Sequence, residues 1–251
     1  MRYRPRGGWL HVIYGCMFSG KTEGLINEVV RARIARKEVI VFKAAIDCRY
    51  QDGETCIVSY SGAKFPATLI PVNDPEQILQ HVSSQQLGGQ QLDVVAIDEV
   101  QFFDAKIVDV IQNLLDKGLG VIAAGLNQNY RGEPFGAMPT ILALADSLDQ
   151  LYAVCHVCGE AFATKTQRLK ADGTPAAIDE PLVLVGSTDF YQARCRRCHK
   201  IGPPLGAGTN KTRGNGVANG DGAGAANTSG ATAAASAAAT AEAATTATPD
   251  H

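Results

Sequence analysis

The chain has 251 residues, a formal net charge of −2 and a hydrophobic fraction of 45%. This balance excludes a chain that is attracted as a whole to nucleic acid or to an anionic membrane, and no apolar run reaches the roughly 18 residues of a membrane span. The basic residues 1–8 lack an apolar core and a cleavage site, so they predict a flexible N-terminus and no secretion signal. Seven cysteines, four of them in CxxC pairs, favour metal binding in a reducing compartment, and we expect a cytoplasmic protein.

Between residue 9 and about residue 150, short apolar runs alternate with segments of helical periodicity. In chain order, the apolar runs predict strands over 9–15, 38–46, 92–100 and 119–127, and the periodic segments predict helices over 21–37, 74–86, 105–118 and 139–149. The Asp74-Pro75 pair is expected to cap the second helix, and Gly118 to close the third. The alternation predicts an α/β domain over 9–150 whose mostly parallel sheet is covered by helices on both faces.

The amino-acid composition of the sequence changes after about Leu151. CxxC pairs and Thr, Lys and Arg residues dominate 151–202, with strand candidates at 161–170 and at LVLVG (182–186), and this composition predicts a second, small unit. From residue 203 onward the chain is almost entirely Ala, Gly, Thr, Ser and Asn. Such a segment buries too little surface to offset its chain entropy, so we expect a disordered tail over 203–251.

The stretch after the first strand has the spacing of a phosphate-binding loop, Gly15-x4-Gly20-Lys21-Thr22. Its glycines let the backbone turn so that N–H groups point at phosphate oxygens, and the N-terminus of the following helix adds partial positive charge. Lys21 would reach the β- and γ-phosphates, and the Thr22 hydroxyl would bind Mg²⁺. The alternative is an ordinary strand-to-helix turn. The spacing predicts ATP contacts from Gly15, Cys16, Met17, Phe18, Ser19, Gly20, Lys21 and Thr22.

Two acids end the third predicted strand. Asp98 closes the apolar run VVAID, where a carboxylate can hold Mg²⁺ directly or through water. Glu99 would point elsewhere and could accept a proton or position a nucleophile. Alternatively, both acids only cap the helix that follows. The loop and the acids together predict binding of Mg²⁺ and ATP.

Four cysteines have the spacing of a structural zinc site, Cys155-x2-Cys158 and Cys195-x2-Cys198. Each pair can chelate one tetrahedral Zn²⁺ from a tight turn, so the metal would staple the base of a hairpin-like loop. The alternative is four reduced, unliganded thiols. The remaining residues of interest are interpreted more plainly: His156 and His199 as neighbours and not ligands, and Cys16, Cys48 and Cys56 as small buried or half-buried side chains.

Six longer motifs lie in order along residues 9–202: GCMFSGKT (15–22), IDCRY (46–50), IDEVQFF (97–103), YRGEPFG (130–136), ATKTQRL (163–169) and VGSTDFYQARCRRC (185–198). In these motifs the chain resembles the type II thymidine kinases, a zinc-containing family. The resemblance includes the unusual Met-Phe pair inside the phosphate loop. It implies a RecA-like P-loop sheet with a small zinc-stapled β lasso that clamps the nucleoside, and ATP-dependent phosphorylation of thymidine, with deoxyuridine as a second acceptor, in nucleoside salvage for DNA synthesis.

The resemblance also implies roles for the polar residues. Glu99 would be the general base that removes the proton of the thymidine 5′-hydroxyl. Lys21 and Arg49 would stabilise charge on the transferred phosphoryl group. Thr22 and Asp98 would organise Mg²⁺. Gln101 is placed among the ATP-binding residues.

The nucleoside contacts follow from the same resemblance. Phe102 and Tyr130 would flank the thymine ring, while Phe103 is expected in the core. Met17 and Leu126 would shape the pocket around the thymine methyl group. The implied base-reading residues of the lasso are Thr166, Val185, Gly186 and Tyr191. The chain departs from the family at Tyr130, where Phe is commoner and a hydroxyl must find a partner, and at Asn127 and Asn129, where an acid is commoner.

Two other function classes remain open at this stage. A RecA-like ATPase with a nucleic-acid-binding zinc ribbon would use the basic cluster of Arg194, Arg196, Arg197 and Lys200. A zinc-ribbon interaction module with a vestigial loop would not need the intact Lys21 and Glu99. The kinase interpretation further implies a homotetramer, or a dimer, inhibition by thymidine triphosphate, and no nucleic-acid or membrane partner.

Overall fold

The structure, a computed structural model, describes residues 7–46, 56–58, 62, 64–89, 91–183 and 190–206. All of them belong to the first of the two compact units of the chain, Met1–Gly208. The predictions for the N-terminus over 1–6, for the tail from 207 onward and for LVLVG beyond Val183 fall outside the described residues. The same holds for Arg49, Cys48, Val185 and Gly186.

Within the described residues, six strands form one parallel sheet in the order β5-β2-β6-β7-β1-β8. They are β1 Trp9–Gly15, β2 Val39–Ala45, β5 Thr68–Pro71, β6 Val94–Asp98, β7 Gly120–Gly125 and β8 Ser147–Leu151. A short antiparallel hairpin of β3 Cys56–Val58 and β4 Lys64–Pro66 lies before β5. The predicted parallel sheet and its α/β class are confirmed.

Helices cover both faces of this sheet because the strands alternate their apolar side chains between two cores. The helices of the described chain are α1 Lys21–Ile34, α2 Gln77–Leu87, α3 Ile107–Asp116 and α4 Met138–Leu144. One core joins α2, α3 and α4 to residues such as Val12, Phe42 and Val121. The other joins α1 and the β3–β4 hairpin to Ile13 and Val41. Burial on both faces is what makes β6 and β7 continuous apolar runs.

The predicted helix over 139–149 is wrong in its second half. Helix α4 ends at Leu144, and Ser147–Leu151 is strand β8, which pairs in parallel with β1. The turn before β8 is fixed because the Leu10 N–H donates to the Asp146 carboxylate at 2.8 Å and the Asp146 N–H donates to the Leu10 carbonyl at 2.9 Å. Pairing with β1 therefore overrides the local helical pattern.

Two helix ends test the predicted caps. Gly118 adopts a φ of 79° just beyond α3 and closes it as predicted. Helix α2 begins at Gln77, later than predicted, and Asp74 does not cap it. Instead the Asp74 carboxylate accepts a hydrogen bond from the Gln77 side chain at 2.8 Å in the preceding turn.

Residues 152–206, here called the cysteine segment, carry a second small sheet. Strand β9 Lys165–Arg168, inside the predicted 161–170, pairs antiparallel with β10 Tyr191–Arg194 and gives the expected hairpin-like arrangement. Leu182 and Val183 lie in no strand. Among the described residues, no helix is long and apolar enough to cross a membrane.

Candidate functional site

The predicted phosphate-binding loop is a closed turn between β1 and α1. Phe18 and Gly20 adopt left-handed φ angles of 64° and 84°, which let the chain reverse before the helix. The Cys16 carbonyl accepts two hydrogen bonds, from the Lys21 amine at 2.8 Å and from the Ser19 hydroxyl at 2.8 Å. The loop therefore lies at a helix N-terminus with its lysine folded over it, ready to exchange a carbonyl partner for a phosphate.

Gly15 is required by close packing at the start of this loop. A side-chain carbon at this position would contact the Leu151 carbonyl and lie 2.7 Å from the Ser19 hydroxyl. Glycine alone leaves room for strand β8 on one side and the loop on the other.

Asp98 lies beside the loop although its strand is not the neighbour of β1. Strand β7 separates β6 from β1 in the sheet, yet the Thr22 hydroxyl donates to the Asp98 carboxylate at 3.2 Å. Burial raises the pKa of Asp98 to about 7, and the nearby Glu99 charge acts in the same direction, against Lys43 and Lys21. A bound cation at this pair of oxygens would favour the ionised carboxylate.

Glu99 has an unusual backbone and a fixed carboxylate. Its φ of 55° is left-handed, and it starts the 3₁₀ turn Val100–Phe102. Gln101, 2% exposed, donates from its amide to Glu99 Oε2 at 2.5 Å and accepts at Oε1 from the Leu126 N–H at 3.0 Å. Gly125 makes room for it, because a side-chain carbon there would lie 2.5 Å from Gln101 Oε1. The structure thus holds the Glu99 carboxylate at the end of the sheet, and the predicted contact between Gln101 and ATP stays a prediction.

The charged acids and amines at this end of the sheet affect one another's pKa values. Burial lowers the pKa of the Lys21 amine, while the negative charges of Glu99 and Asp98 act to raise it. Lys43, within β2, lies directly opposite Asp98 in the strand register. Two amines therefore face two carboxylates, a group suited to binding a polyphosphate together with a cation.

The four predicted zinc ligands come together. The sulfur atoms of Cys155, Cys158, Cys195 and Cys198 all lie within 4.8 Å of one another. Those of Cys158 and Cys195 are 3.8 Å apart, which is the separation of about 3.8 Å expected for two sulfurs on a tetrahedral zinc with bonds of about 2.3 Å. The donor set therefore fits zinc, and the histidines lie outside it.

Hydrogen bonds divide the four thiols of this cluster: the pKa values of Cys155 and Cys195 are lowered, whereas those of Cys158 and Cys198 are raised, to about 12 for Cys198. Burial acts to raise the pKa of Cys155, but the backbone N–H groups of Cys195, Cys158 and Val157 outweigh it and lower the pKa to about 6. The thiolate is the form that binds metal. Zinc binding would therefore displace the protons that remain on Cys158 and Cys198.

The phosphate loop touches the cysteine segment directly. The Met17 N–H donates to the Thr166 hydroxyl at 3.0 Å, and the Cys16 thiol donates to the Ala163 carbonyl at 3.3 Å. Cys16 is 2% exposed and shares a small core with Cys155 and Cys195. The expectation that Cys16 is a small buried side chain is confirmed, and the two halves of the candidate site are joined at this point.

The two predicted aromatic residues lie in different segments: Tyr130 in the loop after β7, and Phe102 in the turn after β6. The Tyr130 hydroxyl donates to the Ala177 carbonyl at 2.8 Å, which gives this departure from the family its partner. Asn129 ties the loop together, since its side chain accepts from the Arg131 N–H at 2.9 Å and donates to Glu133 at 3.0 Å. Phe102 is half-buried and packs edge-on against Phe135 at 5.4 Å between ring centroids.

A family model for thymidine kinase matches residues 8–199. The chain belongs to the thymidine kinase family. It is accordingly an ATP-dependent phosphotransferase, and the four-cysteine cluster is consistent with the zinc-containing type II members of the thymidine kinases.

Within this thymidine kinase fold, three features escaped the sequence interpretation. Lys43 lies opposite Asp98, and its only signal is a single lysine inside an otherwise apolar strand. His199 donates from Nε2 to the Tyr130 carbonyl at 2.9 Å, so it fastens the aromatic loop to the second cysteine pair. Arg168 is 1% exposed within a polar stretch that gives no sign of its burial. Phe103, by contrast, lies in the core as expected.

Proposed function

We propose that this protein transfers the γ-phosphate of ATP to the 5′-hydroxyl of thymidine, giving thymidine monophosphate and ADP, with deoxyuridine as a second acceptor. The observation that carries the proposal is the fixed Glu99 carboxylate, held by Gln101 next to Asp98 and the phosphate loop. The family match supports it. The product would feed DNA synthesis by nucleoside salvage.

For ATP, the chain would supply a lysine and the backbone N–H groups of the phosphate loop. Lys21 would release the Cys16 carbonyl and turn to the β- and γ-phosphates, and the N-terminus of α1 would stabilise their charge. Lys43 lies close enough to Asp98 to affect its pKa and would add positive charge to the same edge. Arg49, predicted for the same task, belongs to the proposal on the resemblance alone.

The Thr22 hydroxyl and the Asp98 carboxylate would hold the Mg²⁺ that accompanies ATP. Both are hard oxygen donors of the kind that this ion prefers, and they already lie 3.2 Å apart. The ion would supply positive charge beside the β- and γ-phosphates when bound.

At the acceptor end, Glu99 would accept the proton of the 5′-hydroxyl. The freed oxygen forms a bond to the γ-phosphorus, the bond from that phosphorus to the β–γ bridging oxygen breaks, and the electron pair stays on ADP. Since Gln101 donates to Glu99 Oε2, the other carboxylate oxygen is left for the hydroxyl. This division of the two oxygens is what a positioned general base needs.

The nucleoside would lie between the loop after β7 and the cysteine segment. Phe102, Tyr130 and Tyr191 would supply aromatic surface, and Met17 with Leu126 would surround the thymine methyl group. Thr166 joins this wall to the phosphate loop through Met17. Val185 and Gly186 complete the proposed set on the resemblance alone. A small enclosed pocket is better suited to binding the uncharged thymine base than a basic groove is.

The proposal is tested by coupled measurement of ADP release with thymidine, deoxyuridine, deoxycytidine or no nucleoside. We expect release that depends on thymidine, weaker turnover of deoxyuridine, and little with deoxycytidine. ADP release that is independent of nucleoside, or stimulated by single-stranded DNA, would instead support the RecA-like ATPase and refute the kinase.

The assembly and its regulation are part of the same proposal. The resemblance predicts a homotetramer, with a dimer as the alternative, and inhibition by thymidine triphosphate. That triphosphate carries the nucleoside and the phosphates of both substrates in one molecule, so it can occupy both halves of the site. Light scattering of the eluted protein and inhibition measured against both substrates test these points.

A further inference from the structure

Arg168 is a buried cation outside the predicted site. It lies in β9, is 1% exposed, and has the largest volume among the fully buried side chains of the described chain. Burying a guanidinium is costly unless it is paired and its donors are satisfied. Here one nitrogen donates to Glu180 Oε2 at 2.8 Å and another donates to the Pro181 carbonyl.

The same guanidinium lies on the ring of Tyr130. Its carbon is 4.0 Å from the ring centroid, well inside the range of a cation–π contact. Tyr130 is also held at its hydroxyl, which donates to the Ala177 carbonyl, and at its backbone carbonyl, which accepts from His199. Arg168 thus restrains the plane of a ring whose hydroxyl and backbone are already held by hydrogen bonds.

The partner of Arg168 belongs to a short turn that leads toward residue 190. Glu180 Oε1 accepts from the Ala177 N–H at 2.9 Å, and the Arg131 guanidinium donates to the Glu180 carbonyl at 2.8 Å. Arg168 therefore links three separate pieces of chain: the loop after β7, strand β9, and the 177–181 turn.

We propose that Arg168 is a positioning residue for the nucleoside, which acts through Tyr130 and the Glu180 turn. This inference rests on the proposed function, in which Tyr130 is part of the nucleoside wall. Stability alone does not call for the arrangement, because an apolar core of similar volume is often equally stable or more so. The planar guanidinium of Arg168 stacks on the Tyr130 ring and donates to two acceptors, so it specifies one geometry. A lysine amine cannot reproduce this geometry.

The test compares Arg168→Lys and Arg168→Met with Lys170→Met. Lys170 is a matched control, because its amine lies 3.8 Å from Glu180 Oε1 but does not stack on Tyr130. The measurements are KM for thymidine, KM for ATP, kcat, melting temperature and zinc content of the full chain. We expect both Arg168 variants to raise the KM for thymidine about tenfold or more, with the KM for ATP and the zinc content unchanged. Lys170→Met should keep the wild-type KM.

Several results would overturn the role of Arg168. They are a lower melting temperature with an unchanged KM for thymidine, an equal rise in both KM values, or full rescue by lysine. Should the Arg168 variants fail to fold, Glu180→Gln keeps the shape of the turn and weakens its pairing with Arg168. It should then raise the KM for thymidine by a smaller factor, and an unchanged KM refutes the role. A wild-type chain without thymidine-dependent ADP release would refute the proposed function itself, which is a separate outcome.

Discussion

The backbone N–H of Met17 donates a hydrogen bond to the hydroxyl of Thr166 across 3.0 Å. Met17 lies in the phosphate loop, and Thr166 lies in β9 between the two cysteine pairs. With the bond from the Cys16 thiol to the Ala163 carbonyl, this hydrogen bond connects the part of the chain that would hold ATP to the part that would hold the nucleoside. We therefore expect the two binding events to depend on one another.

Replacing Thr166 with valine removes the acceptor and keeps the shape of the side chain. The half-buried Met17 N–H would lose its partner, at a cost of about 1–3 kcal/mol. We expect KM to rise for both substrates, by about 5- to 150-fold. Thr166→Ser, which retains the hydroxyl, is the control and should stay close to wild type. A rise confined to one substrate would contradict the coupling.

Removal of zinc is expected to weaken ATP binding as well as nucleoside binding. The cysteine cluster shares its small core with Cys16, so loss of the metal releases the loop through Cys16 and Met17. Titration of both ligands before and after chelation measures the effect, and far-ultraviolet circular dichroism shows whether the sheet and helices stay folded. Added zinc should restore both affinities. An ATP affinity that does not change on chelation would contradict this prediction.

Glu99→Gln is expected to keep ATP binding and to lower kcat by roughly two to four orders of magnitude, because an amide cannot accept the 5′-hydroxyl proton. The amide can still accept the hydrogen bond from Gln101, so the local geometry should survive. Steady-state kinetics and equilibrium ATP titration separate the two effects. Glu76→Gln, a surface carboxylate paired with Lys106, controls for the change of charge. Undiminished turnover would remove Glu99 from its role.

Protonation of Glu180 is expected to lower the free energy of unfolding at acid pH. The Ala177 N–H lowers the pKa of its carboxyl, Arg168 and Lys170 act in the same direction, and burial opposes them. Because the folded pKa lies below the unfolded one, the stabilisation is full above the unfolded value of about 4.3 and is lost as pH falls toward the folded value.

The measurement is the melting temperature at pH 7 and near pH 4. Wild type should lose more stability over this range than Glu180→Gln, which has no carboxyl to protonate. Acid release of metal affects both proteins alike and cancels in the difference. Equal losses would show that Glu180 does not contribute.

The sheet was predictable where a strand is buried on both faces. Strands β6 and β7 are continuous apolar runs, because helices cover them from both sides. The sequence does not predict strand β8, because SLDQL does not alternate polar with apolar residues and Leu148 is exposed; only the pairing with β1 defines the strand. The short strands β3, β4 and β5 have too few residues for their periodicity to stand out.

The chemistry of the site was predictable from types and spacing, and its geometry was not. Loop, acids and cysteines have local signatures, so Lys21, Asp98 and the cysteine quartet could be named from the sequence. The link from Gln101 to Glu99 and Leu126 depends on a left-handed backbone at Glu99, which no pattern announces. The burial of Arg168 depends on Tyr130 and Glu180, which lie far from it in sequence and adjacent in space.

The position of β1 between β7 and the edge strand β8 also affects the order in which the sheet can form during synthesis. Its neighbours are β7 and β8, and the hydrogen bond from Leu10 to Asp146 spans 136 residues. At translation rates of about 5–20 residues per second, β1 emerges roughly 7 to 30 s before β8 can pair with it. Until then, the edge of β1 (WLHVIYG) that pairs with β8 is open to pairing with another chain, even after β7 has been made. Because Gly15 packs against the Leu151 carbonyl, the phosphate loop gains this neighbour only when β8 has been made.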